Sequence, residues 1–99
     1  MYEFVSHPAI TYELKDSIKW YDSKSSRTAE NFKAEIKKSL FDITVNPFLF
    51  QKIYNDYRAY PIKNFPFRII YYIEDDVVFI LSVFHTSKNP EIWKNRKFE

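Results

Sequence analysis

The sequence predicts an α+β domain in the order strand, helix, helix, strand, strand, strand. Three observations carry this reading. Ile10, Leu14, Ile18 and Tyr21 recur at helical spacing, and Ala29, Phe32, Ile36, Leu40 and Ile43 repeat that pattern. Residues 65–73 and 77–84 are dense in β-branched and aromatic side chains, the composition of strands. Glu74-Asp75-Asp76 separates those two runs as a turn.

In chain order, residues 2–6 read as a short strand, which His7-Pro8 ends. Proline suits the first turn of a helix, so the first helix runs over about 8–24. Residues 23–26 form a polar break. Thr28 is the expected N-cap of the second helix, with Ser25-Ser26 competing for that role. Asn46-Pro47 ends this helix, and the short link makes an antiparallel helical hairpin. Residues 48–56 read as an irregular connection with room for one helical turn. Residues 57–63 read as a strand that Pro61 confines to an edge or a break.

Composition narrows the function classes. The 99 residues fit one domain, 1–99, with 45% hydrophobic and 28% charged residues. There is no glycine, which excludes Walker-A, dinucleotide-binding and EF-hand loops. There is no cysteine, so disulfides, thiolate metal sites and cysteine nucleophiles are excluded. Two histidines are too few for a His-rich metal site, and neither a metal nor an organic cofactor is expected. No apolar run approaches the roughly 20 residues of a membrane span. The N-terminus lacks the features of a signal peptide, so a cytoplasmic protein is expected. Net charge is +2. Residues 1–56 balance, whereas residues 57–99 are basic outside the Glu74–Asp76 cluster, which suits phosphate or an acidic partner.

If Asp75-Asp76 is a two-residue turn, Glu74 faces Val77, Tyr72 faces Phe79, Ile70 faces Leu81 and Arg68 faces Val83. Alternation then places Phe67, Ile69, Tyr71, Ile73, Val78, Ile80, Ser82 and Phe84 on an uncharged face that packs on the helices. The other face holds Arg68, Ile70, Tyr72, Phe79, Leu81, Val83 and His85. Two helices cover only one side, so this second face is expected to be an open apolar partner site, unless the C-terminal tail or a second copy covers it.

With these residues in place, the chain resembles the RelE/ParE superfamily of bacterial toxins, also described as plasmid stabilisation proteins. The resemblance is carried by Trp20-Tyr21, Asn46-Pro47, Arg58, the run from Phe65 to Asp76, and the run from Val83 through His85 and Lys88-Asn89-Pro90 to Trp93. It covers almost the whole chain. It implies two N-terminal helices on one face of a mostly antiparallel four-stranded sheet. It also implies the toxin half of a type II toxin–antitoxin pair, neutralised by an antitoxin encoded beside it. Some members cleave mRNA on the ribosome and others poison DNA gyrase.

Cleavage of the RelE kind proceeds by attack of a ribose 2′-hydroxyl on the adjacent phosphate. It needs an acid, a base and cations for the developing charge. His85 is the acid–base candidate on the open face, with Arg68 beside it, Arg58 converging and Lys88 three residues on. Each has a structural alternative. His85 can cap its strand, Arg68 can pair with an antitoxin, Arg58 can pair with Asp56 or the acidic turn, and Lys88 can be solvated. Trp93 reads as packing the tail, Trp20 and Tyr21 as helix packing, and His7 as a turn residue. Nucleases of this superfamily often carry a C-terminal tyrosine that stacks on RNA, and no tyrosine follows His85 here. The tail is more similar to the ParE side.

The first expectation is therefore a ParE-like toxin that inhibits growth through a target such as gyrase. The alternatives are a ribosome-dependent endoribonuclease and a degenerate, non-toxic antitoxin binder. All three predict an antitoxin whose apolar residues fill Ile70, Tyr72, Phe79, Leu81 and Val83 and whose acids meet Arg68 and Arg58. A homodimer is also compatible with the open face.

Overall fold

The structure, a computed structural model, describes residues 1–98. Strand β1 (Glu3–Ser6) leads to helix α1 (Ala9–Lys24), and helix α2 (Ser26–Val45) follows after one extended residue. Ser25 is that residue. It ends α1 and caps α2, its side-chain oxygen accepting from the Thr28 N–H at 3.3 Å. The cap is thus Ser25 and not Thr28, because Ser25 holds the extended backbone at the break. His7 accepts from the Ala9 N–H at 3.0 Å and anchors the start of α1, a turn role as expected.

Four strands follow: β2 (Lys52–Tyr54), β3 (Tyr57–Pro61), β4 (Phe67–Glu74) and β5 (Val77–His85), with a short helix α3 (Glu91–Lys94) in the tail. The sheet has five strands in the order β1-β5-β4-β3-β2. β1 runs parallel to β5, and the other pairings are antiparallel. The four-stranded expectation is corrected by β2, which occupies the region read as an irregular connection. A three-residue strand whose residues are all exposed carries no alternation for a sequence pattern to reveal.

The β4–β5 turn has two residues, with Asp75 at φ 51° and Asp76 at φ 64°. Asn55 and Asn64 also lie in this left-handed region. Without glycine, the chain assigns these turns to Asn and Asp, which tolerate the conformation best among other residues. Glu74 opposes Val77 and Tyr72 opposes Phe79, as the two-residue turn requires. The register then shifts between Ile70 and Tyr71, so Ile70 opposes Ser82 and Arg68 opposes Phe84. One extra residue on β5 exchanges the two faces beyond the bulge. Val83 turns toward the helices and Phe84 toward the tail, the reverse of the unbulged register.

Two cores result. The helix-side core joins Ile10, Phe32, Ile36 and Ile43 to Ile69, Tyr71, Val78, Ile80 and Val83. Phe32 sits at its aromatic end, with ring centroids 5.1 Å from Tyr21, 5.1 Å from Phe65 and 5.0 Å from Phe67. Each fully buried side chain of this size contributes roughly 1.5–3 kcal/mol. Tyr71 donates its hydroxyl to the Pro47 carbonyl at 2.6 Å, tying the end of α2 to the sheet. Burial pushes its phenol up to about 12, against a lowering by nearby Arg58.

The second core lies on the opposite face and comprises Ala59, Ile70, Leu81, Phe84 and Trp93, with Tyr57, Tyr72 and Phe98 packed against it. Ile70 and Leu81 are fully buried. The expectation of an open apolar face is therefore corrected, because Trp93 and Phe98 bring the tail down over it.

Candidate functional site

On α1, Glu13, Asp16, Ser17 and Trp20 fall at i, i+3, i+4 and i+7, one face beside the apolar stripe. Asp16, Ser17, Trp20 and Tyr21 form one wall of a cleft of about 410 Å³. Phe67, His85, Ser87 and Lys88 form the other. A groove of about 240 Å³ shares Asp16, Ser17, His85 and Lys88 and continues to Tyr12, Ile92 and Arg96.

His85 ends β5, with its ring edge-on to Phe67 at 4.9 Å. Its Nδ1 accepts from the Ser87 N–H at 3.1 Å, and the Ser87 hydroxyl lies 2.7 Å from the same atom. With Nδ1 accepting, the neutral ring carries its proton on Nε2. Lys88 reaches the same cleft from the turn that its backbone N–H closes onto the His85 carbonyl at 3.0 Å.

The other two candidates lie elsewhere. Arg68 opposes Phe84 and is exposed on the tail side. The bulge is the reason, since the unbulged register would have put it on the face of His85. Arg58 donates to the Phe48 carbonyl at 3.2 Å and the Phe50 carbonyl at 2.6 Å, and its guanidinium lies 5.5 Å from the Phe48 ring centroid. It anchors the loop after α2. The alternative pairing of Arg58 with Asp56 does not form, because Lys52 takes Asp56 at 3.3 Å. The structure thus brings His85 and Lys88 together and leaves Arg68 and Arg58 apart from them.

Of the expected antitoxin contacts, Arg68 is exposed and Tyr72 and Phe79 are half-buried, stacked 5.0 Å apart. Ile70 and Leu81 lie beneath the tail, and Val83 packs in the helix-side core.

Glu13 and Arg96 had no place in the sequence reading, yet they organise the groove. β1 pairs only with Val77 to Ile80, so β5 has no strand partner on that edge beyond Ile80. There the Glu13 carboxylate accepts from the Val83 N–H at 3.0 Å and the Ser82 hydroxyl at 2.8 Å. Arg96 donates to the Leu81 carbonyl at 2.8 Å and lies 3.0 Å from Glu13. Two side chains from opposite ends of the chain thereby satisfy backbone groups that a sixth strand would otherwise pair. The spacing of Glu13 with Asp16, Ser17 and Trp20 was the available sequence signal. Nothing local points to Arg96.

Among the described residues, no group of three His, Asp or Glu side chains is placed to hold a metal ion. Among the same residues, no helix is long and apolar enough to cross a membrane.

A family model described as the ParE toxin of the type II toxin–antitoxin system, parDE, matches residues 6–90. A solved chain from the chromosomal ParDE TA system of P. aeruginosa has a similar fold, with a TM-score of 0.74 at 12% identity. The match covers 86% of this chain and 96% of that one. No curated protein matches the chain in sequence.

Proposed function

Because this chain belongs to the ParE toxin family of type II toxin–antitoxin systems, we propose that it arrests growth by binding DNA gyrase in the cytoplasm and is neutralised by a cognate antitoxin. The observation that supports binding over RNA cleavage is the separation of the charged candidates. Arg68 lies on the tail side of the sheet, His85 on the helix side, and Arg58 is taken up by two loop carbonyls. A scissile phosphate needs its cations and its acid–base group within reach of the same atoms. The α1 cleft and its continuing groove supply the concave surface for a protein partner.

A second reading is favoured by one observation. His85 and Lys88 share the cleft, so an imidazole and an ammonium group are available there together. The test is to add the protein to a bacterial translation extract and map mRNA ends. The binding reading expects intact mRNA. Codon-phased cuts that vanish in His85→Ala would replace it with ribosome-dependent cleavage.

A further inference from the structure

On the tail side, a niche of about 190 Å³ opens between α3 and the β2–β4 region. Its walls are apolar or aromatic, among them Ile53, Tyr54, Phe84 and Trp93. Two cations border it, Arg68 and Lys94. Among the described residues Arg68 forms no ion pair. Lys94 lies 4.5 Å from the Tyr54 ring centroid and 3.2 Å from the well-exposed Glu91 carboxylate. The local charge is therefore positive. Trp93 adds a second sign of incompleteness, since its buried indole N–H has no hydrogen-bond acceptor among the described residues.

We propose that this niche receives one acidic side chain of the antitoxin, flanked by an apolar residue; this rests on the toxin–antitoxin reading above. The volume suits a single side chain, since a cavity of about 150 Å³ holds one benzene ring. Apolar walls favour a hydrocarbon stem over a sugar or a hydrated phosphate. The guanidinium at the rim matches a carboxylate with two parallel hydrogen bonds. Partial desolvation by Tyr54 and Trp93 strengthens that pair relative to one in open water. The niche recognises one acidic side chain by its hydrocarbon stem and its carboxylate, and Arg68 sets the requirement for the acid.

The experiment uses the two tryptophans as reporters, because Trp93 lines the niche and Trp20 lies in the separate α1 cleft. The full chain is titrated with the dipeptide acetyl-Glu-Leu-amide, and the indole N–H signals are followed by NMR. The Trp93 signal moves saturably and the Trp20 signal does not. Arg68→Gln, at an exposed position whose loss leaves the cores intact, weakens binding roughly tenfold or more. In parallel, affinity for the antitoxin encoded beside the toxin falls by a similar factor in Arg68→Gln, falls further in Arg68→Glu, and recovers in part in Arg68→Lys. Inorganic phosphate moving Trp93 as strongly as the dipeptide overturns the proposal. So does an antitoxin complex that forms with unchanged affinity in Arg68→Gln, an outcome that leaves the toxin reading standing. Failure of the wild-type chain to form any antitoxin complex overturns both.

Discussion

Glu13 and Arg96 meet at 3.0 Å across the unpaired end of β5, joining the first helix to the tail. Their side chains are only 18% and 14% exposed, so the pair is shielded and each partner also holds β5 backbone. Removing either one leaves the other charge and a backbone group without a partner. Glu13→Ala and Arg96→Ala are each expected to cost about 2 kcal/mol. The double variant should cost less than the sum of the two. Urea denaturation of the four proteins measures this coupling, and strict additivity would mean that the two residues act separately.

Tyr71 and Tyr60 make stability fall at high pH. Burial raises both phenols to about 12, with the hydrogen bond to Asp42 adding to the effect on Tyr60. An unfolded tyrosine titrates near pH 10. Between about pH 10 and 12 the unfolded chain therefore binds fewer protons than the folded one, and stability decreases as pH rises. Below pH 10 the contribution is fully present. Tyr71→Phe should flatten this decline and cost about 1–2 kcal/mol at neutral pH, because the Pro47 carbonyl loses its donor. Denaturation curves across that range, with phenolate absorbance of the folded protein, test both parts.

The β4–β5 turn should be improvable. Asp75 and Asp76 both hold positive φ and add two like charges beside Glu74. Asn-Gly is the pair best suited to this turn. Replacing Asp75-Asp76 by Asn-Gly is expected to stabilise the fold by about 1 kcal/mol, which for a domain of this size is a Tm gain of roughly 4–8 °C. Thermal unfolding followed by circular dichroism provides the measurement.

Trp93 is the keystone of the tail-side core, being 3% exposed among Tyr54, Tyr57 and Phe84. Trp93→Ala should cost about 3–5 kcal/mol. Trp93→Phe should cost much less, because the deleted N–H has no acceptor among the described residues and its burial is already unfavourable by about 1–3 kcal/mol. Comparable losses in the two variants would show that the indole N–H has a partner. Chemical denaturation distinguishes the outcomes.

The parts legible in sequence were those with local periodicity. Ile10, Ala29, Phe32, Ile36 and Ile43 are buried as their helical spacing implied, and the two-residue Asp75-Asp76 turn sets Tyr72 against Phe79. What escaped was non-local. The bulge carries no glycine or proline, and the residues on either strand where it begins, Ile70-Tyr71 and Ile80-Leu81, are all apolar or aromatic, so alternation misassigned Val83 and Phe84 beyond it. That single shift parted Arg68 from His85. β2 and α3 span three and four residues, below the length at which a pattern forms. The partnership of Glu13 and Arg96 is fixed by tertiary packing alone.

The measurement that bears most directly on toxicity by binding is supercoiling by purified gyrase in the presence of the protein and its His85→Ala variant. Both are expected to inhibit supercoiling to a similar degree. Supercoiling left untouched by the wild-type protein, at concentrations where that protein arrests growth, would contradict gyrase as the target.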